Sequence, residues 1–344
     1  MDKKLIAVAA ASALALPMSA HALEGSVSGH VGRVIQHVDG PGEAKDGPKW
    51  NHADLGASPS RFRFTGSEEL DNGVTIGVNL EYAVGANQGN SPGLRHSALT
   101  FSGAFGSIAA GQTAPATNGT NDDLSASGLA VDMACSNAAG KSCPDFTAGR
   151  RGVVKYTTPA IGVAGFSGSA GPDFWDAQLS SSGELGAGSY ALRASFASDG
   201  DNSPNGGRVS NTHHHGDTYD EDTLTSMSTP ALIDAGETYS VAVAFKVGSA
   251  SVNTLWGSTD YDAAGKTDHD GYGVKLGYDF GDSGIGLLFR QTDMDDTDDD
   301  PSTWGIGVQH NMMGVDLFAG YYSYDPDDGE DETNTFTVGS RIKF

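Results

Sequence analysis

The chain has 344 residues, a formal net charge of −24 and 48 glycines. Its acidity argues against a nucleic-acid partner, which would need a basic face. A mean hydropathy of −0.30, with apolar residues set singly among Gly, Ser, Thr and Asn, leaves three classes: a transmembrane β-barrel, a β-solenoid and a disordered acidic chain. Disorder fits poorly, because the apolar residues alternate, and no fixed short repeat supports a solenoid.

Residues 1–22 carry Lys3 and Lys4, an apolar stretch from Leu5 to Leu16, and Ala20-His21-Ala22. That order of charge, apolar run and small-x-small site predicts a secretory signal peptide cleaved after Ala22, leaving 23–344 as the mature chain. The apolar run is too short for a membrane-spanning helix. Downstream, two-residue alternation recurs in sixteen segments: 26–38, 58–70, 73–84, 95–104, 107–113, 151–158, 162–171, 174–182, 189–198, 238–248, 251–259, 271–280, 284–292, 303–311, 315–324 and 334–344. In the last of these Phe336, Val338, Ile342 and Phe344 share one face, and Thr335, Thr337, Arg341 and Lys343 share the other. Period two is the signature of a strand with one apolar and one wet face.

The connections alternate as well. Tight turns at 71–73, 103–106, 158–160, 281–283 and 312–314 are interleaved with long polar stretches at 39–57, 114–150, 199–237, 260–270, 293–302 and 325–333. Two fit less well: Gly171-Pro172-Asp173 is short where a loop is due, and 183–188 is long for a turn. An even number of short strands, with turns on one side and loops on the other, predicts an all-β chain closed as a sixteen-stranded antiparallel transmembrane barrel. Closure follows because an open sheet edge is forbidden in hydrocarbon.

Three stretches carry a resemblance. Ser60-Arg61-Phe62-Arg63-Phe64-Thr65-Gly66-Ser67-Glu68-Glu69-Leu70-Asp71-Asn72-Gly73 resembles the S-R-x-G-F-x-G-x-E-x-L-G-x-G hairpin of the general trimeric porins of Gram-negative outer membranes. Arg95 followed by Phe105-Gly106-Ser107-Ile108-Ala109-Ala110-Gly111-Gln112 looks like that family's next hairpin, and Gly152-Val153-Val154-Lys155-Tyr156-Thr157-Thr158-Pro159 is similar to its sixth strand. Arg63 stands for the usual Gly, Gln112 for the usual Arg, and Arg151-Gly152 for the usual Asn-Ser.

The resemblance implies a homotrimer of multi-pass, water-filled barrels in the outer membrane, each narrowed by the third long loop, here 114–150, folded into the pore. It implies acidic loop residues, here Asp122, Asp123, Asp132 and Asp145, facing basic wall residues, here Arg61, Arg63, Arg95, Arg151 and Lys155. Pro144-Asp145-Phe146 resembles the P-E-F of many such loops. Strand parity points Arg61, Arg63, Arg151 and Lys155 inward, opposite Phe62, Phe64, Val154 and Tyr156. Arg95 shares parity with Leu99 and Phe101, a conflict that a bulge or a trimer-facing strand would resolve. The resemblance also makes Phe344 the recognition residue for the barrel-assembly machinery.

Cys135 and Cys143 lie in the same loop with no nearby His to complete a zinc set, and in an exported chain such a pair is read as a disulfide. His213-His214-His215 and the acidic runs 293–300 and 325–332 are read as solvated loops, with no cofactor and no ordered metal site. Loose divalent cations bridging to anionic lipopolysaccharide are the functional rival for the acidic runs. No G-x-S-x-G elbow or other catalytic set occurs, so no enzyme is expected. The expected function is passive diffusion of small hydrophilic solutes and ions with a weak cation preference. A substrate-selective channel, marked by an aromatic slide, and a structural or adhesive barrel with a plugged lumen stay open.

Overall fold

The computed structural model describes residues 23–40, 49–55, 58–84, 93–118, 146, 148–200, 236–262, 268–295, 300–327 and 331–344. These form a single antiparallel sheet of seventeen strands. In chain order they are β1 (Glu24–Asp39), β2 (Lys49–Ala53), β3 (Arg61–Glu69), β4 (Thr75–Ala83), β5 (Gly93–Gly103) and β6 (Gly106–Thr113). Next come β7 (Arg151–Thr157), β8 (Ala164–Gly171), β9 (Phe174–Leu185), β10 (Gly188–Asp199), β11 (Gly236–Val247) and β12 (Ala250–Tyr261). The last are β13 (His269–Phe280), β14 (Ser283–Met294), β15 (Ser302–Met312), β16 (Val315–Asp325) and β17 (Thr333–Lys343).

From β3 onward each strand pairs with the next, and β17 returns to pair with β1, with His30 opposite Lys343 and Asp39 opposite Asn334. The sheet is therefore closed and has no free edge, as a hydrocarbon surround demands. On its other edge β1 meets two strands in line: β3 against residues 24–30 and β2 against residues 34–38. Seventeen strands thus make sixteen staves. The expected segments all appear, and β2 is the addition.

Alternation sets the two faces. Phe336, Val338, Ile342 and Phe344 are exposed on the outside of β17, while Thr335 and Thr337 are buried on the inside. The outer surface repeats this apolar character from strand to strand, with Trp175, Leu192, Val241, Trp256, Leu276, Phe289 and Trp304 among its exposed side chains. The long turn expected at 183–188 shrinks to Gly186 and Ala187, because β9 and β10 each extend toward it; Gly186 supplies the positive φ of 63° that a two-residue hairpin needs. Pro172 and Asp173 do join β8 to β9 on the loop side by two residues, with Asp173 at φ 51°. Asp tolerates that left-handed region better than most residues.

A barrel of this width has no central core. Two clusters of buried apolar groups lie instead where the ends of the 114–150 loop press on the inner wall. Ala148 packs with Val153, Phe174 and Ala197, and Phe146 packs with Ala242 and Leu255. The Phe146 ring occupies the space a side chain would need at Gly257, and it lies 2.8 Å from the position of a Cβ on Gly271. Two glycines on neighbouring strands make the flat seat that an aromatic ring can cover.

Candidate functional site: the charged inner wall

Arg61 and Arg63 alternate with Phe62 and Phe64 on β3, so both guanidiniums enter the lumen. On β4 the residue directly opposite Arg63 is Glu81. Arg95 on β5 begins on the wrong parity. The β4–β5 register shifts between Glu81 and Tyr82, pairing Tyr82 with Leu94 and Glu81 with His96, and Arg95 is the extra residue. That bulge re-aims its side chain inward. Of the two resolutions open from sequence, the bulge is the one found.

The three arginines converge on one carboxylate. Arg63 Nε donates to Glu81 Oε2 at 2.6 Å, Arg95 Nε to Oε1 at 2.7 Å, and Arg61 Nη1 to Oε1 at 3.4 Å. Arg63 Nη2 also touches Oε2. The Glu81 side chain is fully covered, while those of Arg61, Arg95 and Arg63 are 15%, 17% and 41% exposed. Three cations on one anion leave a local excess of positive charge at the water surface. Glu81 was not among the residues expected from sequence. Its signal was available, as a carboxylate on the wet face of a strand facing Arg63.

Arg151 requires a correction. It points inward, as parity demands, but it is only 1% exposed and does not line the channel. Its Nη1 donates to both carboxylate oxygens of Asp199 at 2.8 Å, and its guanidinium carbon lies 3.7 Å from the centre of the Phe174 ring. Ala148 closes over the same neighbourhood. Lys155, half-buried, also faces inward; Ser169 is opposite it, and Asp176 is opposite Ser169.

Asp176 in turn fastens the start of the 114–150 loop. Its Oδ2 accepts from the Thr117 amide at 2.7 Å and the Thr117 hydroxyl at 2.9 Å, and Oδ1 contacts the Ser169 hydroxyl. The far end is tied by Ala148, whose amide donates to Thr117 Oγ1 at 3.2 Å, and by Ser240, whose hydroxyl donates to the Phe146 carbonyl at 3.0 Å. Both described ends of the loop are thereby held inside the barrel. Asp122, Asp123, Asp132, Asp145, the Cys135–Cys143 pair and His213–His215 lie outside the described residues.

Further inward cations are Arg193 on β10, the buried Lys275 on β13 and Arg290 on β14, whose stem lies across Gly273. Lower ion pairs join Lys246 to Asp279 at 3.4 Å and Arg341 to Asp316 at 2.7 Å. Among the described residues, cations on the inner wall outnumber carboxylates. Phe344 sits outside, at the seam: its amide and carbonyl exchange hydrogen bonds of 3.0 and 2.9 Å with Gly29, and its ring lies 2.7 Å from the position of a Cβ on Gly29.

A family model described as Gram-negative porin matches residues 7–329. Outer membrane porin protein 32 of Delftia acidovorans is 34% identical over 187 residues, which is 52% of this chain and 51% of that protein, so the match spans about half the length of that relative. Among solved structures, an anion-selective porin from Comamonas acidovorans superposes with a TM-score of 0.68 at 17% identity, covering 94% of this chain and all of that one. The trimer form of OmpT, an outer membrane protein of Vibrio cholerae, gives 0.62 at 14% identity, covering 94% of this chain and all of that one. Those two likenesses concern the fold. With the family match running across the chain and the closed barrel wearing an apolar belt, this is a multi-pass outer-membrane protein that belongs to the Gram-negative porin family.

Proposed function

We propose that the barrel is a passive, water-filled channel for small hydrophilic solutes and that its wall favours anions. The observation that carries the second half is the convergence of Arg61, Arg63 and Arg95 on the single carboxylate of Glu81. Arg193 and Arg290 on the facing wall add to it. This reading replaces the weak cation preference expected from sequence. That expectation set Arg61, Arg63, Arg151 and Lys155 against four loop acids; on the described wall Arg151 is neutralised by Asp199, and the positive excess comes from Arg61, Arg63 and Arg95 sharing the one carboxylate of Glu81. The relative described as anion-selective points the same way. The basic residues proposed to touch permeating ions are Arg61, Arg63, Arg95 and Lys155; Arg151 anchors the wall.

A homotrimer is part of the proposal. Arg33 has the outward parity of Val31 and Ile35 at mid-height of β1, held at 3.1 Å by Asp54. Even paired, a charge on a lipid-facing strand position is costly, so this stretch of wall is better covered by a second copy. Lipopolysaccharide around the acidic loops and the assembly machinery at Phe344 complete the proposed partners.

The test is reconstitution of purified protein in planar bilayers, with reversal potential measured across a KCl gradient. Discrete conductance steps and a potential on the chloride side are expected. No conductance would favour a structural or adhesive barrel; a potassium-side potential would overturn the anion reading.

A further inference from the structure

We propose that Leu55, Ser58 and Pro59, tied to the wall through Asp54 and Ser60, form a second constriction ledge in the lumen, on which Ser58 positions Arg61 and Arg341 toward passing small oxyanions. The proposal rests on the channel reading above and deepens it. It begins with a gap in the wall. β2 ends with Ala53 opposite Val34, and β3 begins with Arg61 opposite His30, so β1 residues 31–33 have no strand on that edge. The gap is sealed by side chains. The Gly32 amide donates to Ser60 Oγ at 3.0 Å, and the Ser60 amide and hydroxyl donate to Asp54 at 2.8 and 2.7 Å. Ser60 is fully buried. With the wall closed in this way, the described residues Leu55, Ser58 and Pro59 stand off the sheet.

They lie inward. Gly32 has inward parity, opposite to Val31 and Arg33, and the Leu55 side chain fills the space a Gly32 side chain would take. Leu55 is 0% exposed. His30, also inward, places Nε2 3.1 Å from the Ser58 carbonyl oxygen and 3.0 Å from that of Pro59. The described ends of the 114–150 loop are anchored on β8, β9, β11, β12 and β13, across the barrel from this ledge. The lumen is therefore narrowed from two sides.

Two guanidiniums then meet at one neutral atom. Arg61 Nη2 lies 3.4 Å from Ser58 Oγ and Arg341 Nη1 lies 3.3 Å from it, while Arg61 Nε donates to the Pro59 carbonyl at 3.0 Å. Arg341 is held from behind by two bonds to Asp316 Oδ2, at 2.9 and 2.7 Å. Each guanidinium also has a carboxylate, but Glu81 is shared by three arginines and Asp316 by Arg341 and Lys343, so cations outnumber anions around this hydroxyl. A carboxylate, phosphate or sulfate oxygen arriving there forms charge-assisted bonds that are roughly twice as strong as neutral ones. Ser58 is a positioning residue: it sets the spacing of the two cations.

The experiment compares wild type, Ser58→Asp, Ser58→Ala and the control Ser26→Asp in planar bilayers, using reversal potentials in potassium chloride and in potassium acetate. Ser26 is an exposed residue on the inward face of β1, bonded to Thr65 at 2.9 Å and well below the ledge. Ser58→Asp places a carboxylate between the guanidiniums and is expected to lower the anion-to-cation permeability ratio about threefold or more, the scale of one unit charge acting over several ångströms of pore water. Ser26→Asp adds the same charge and is expected to change the ratio much less. If Ser58→Asp does not assemble, Ser58→Ala carries the test, with acetate permeability expected to fall about twofold, the size of one weak hydrogen bond. Equal effects of Ser58→Asp and Ser26→Asp, or an unchanged Ser58→Ala, would overturn the ledge. A wild type that conducts but prefers potassium would instead overturn the anion reading on its own.

Discussion

Glu81→Gln isolates the charge that the three arginines share. The substitution keeps the shape of the side chain and removes one negative charge from a group whose partners are Arg63 at 2.6 Å, Arg95 at 2.7 Å and Arg61 at 3.4 Å. An ion passing about 7 Å away feels a unit charge by roughly 0.6 kcal/mol in bulk water. Screening at 0.1 M salt, where the Debye length is about 10 Å, halves that to roughly 0.3 kcal/mol. The effect has opposite sign for chloride and potassium, so the permeability ratio should move toward chloride by about threefold. At 1 M salt the Debye length is about 3 Å and the shift should nearly vanish. The assay is reversal potential in a fixed KCl gradient, repeated at low and high mean salt. Stability should fall as well, by about 2–3 kcal/mol, because three guanidiniums are left on a neutral amide while Arg63 keeps access to pore water. An unchanged ratio at 0.1 M, or a shift toward potassium, would mean that this cluster does not face the ion path.

Other substitutions separate anchoring from permeation. Asp199→Asn leaves the buried Arg151 guanidinium against a neutral partner and should cost about 3–5 kcal/mol, read as a lower unfolding temperature with selectivity unchanged; Arg151→Met with Asp199→Leu should recover most of the loss. Phe146→Ala removes a ring that is 1% exposed and should free that end of the 114–150 loop, raising open-channel noise while the unfolding temperature of the barrel stays near wild type, because the interstrand ladder is untouched. For Cys135 and Cys143, mass spectrometry of unreduced protein should find both in one crosslinked peptide, with the mass lower by two hydrogens; two free thiols in fresh protein would refute the bridge.

The sixteen long strands were legible because a barrel wall has lipid on one side and water on the other. That contrast stamps period two on every stave. β2 escaped because Lys49-Trp50-Asn51-His52-Ala53 places Trp50 and His52 on its outer face, which leaves a single apolar residue to mark alternation. The proposed ledge escaped for a related reason: Asp54 to Ser60 has no periodicity in sequence, and only the pairing of β2 and β3 with one edge of β1 shows that β1 residues 31–33 have no strand on that edge. At the site, parity correctly sent Arg61 and Arg63 inward, and it exposed the conflict at Arg95 that the bulge resolves. Parity says which way a side chain leaves the strand and nothing about what covers it. Arg151 obeys it and is still lost to the pore, because its partner Asp199 lies 48 residues along the chain and its cover comes from Phe174 and Ala148.

The sequence expectation and the proposed anion preference differ in which acids they weigh: the first set the wall cations against Asp122, Asp123, Asp132 and Asp145, the second against Glu81 on the described wall. The chain carries −24 overall, yet many of its described carboxylates stand at the loop ends of the strands, among them Asp260, Asp268, Asp295, Asp300, Asp327 and Asp331. At physiological salt these are screened beyond about 8 Å, so they colour the approach to the mouth and fade along the lumen. An ion at the narrow level feels the groups within that radius, and there the described wall offers Arg61, Arg63 and Arg95 against Glu81. An acidic barrel with a basic throat is therefore no contradiction. The outer acids should govern how conductance responds to dilute salt and divalent cations, the inner arginines which ion crosses, and the two dependences should separate as salt is raised.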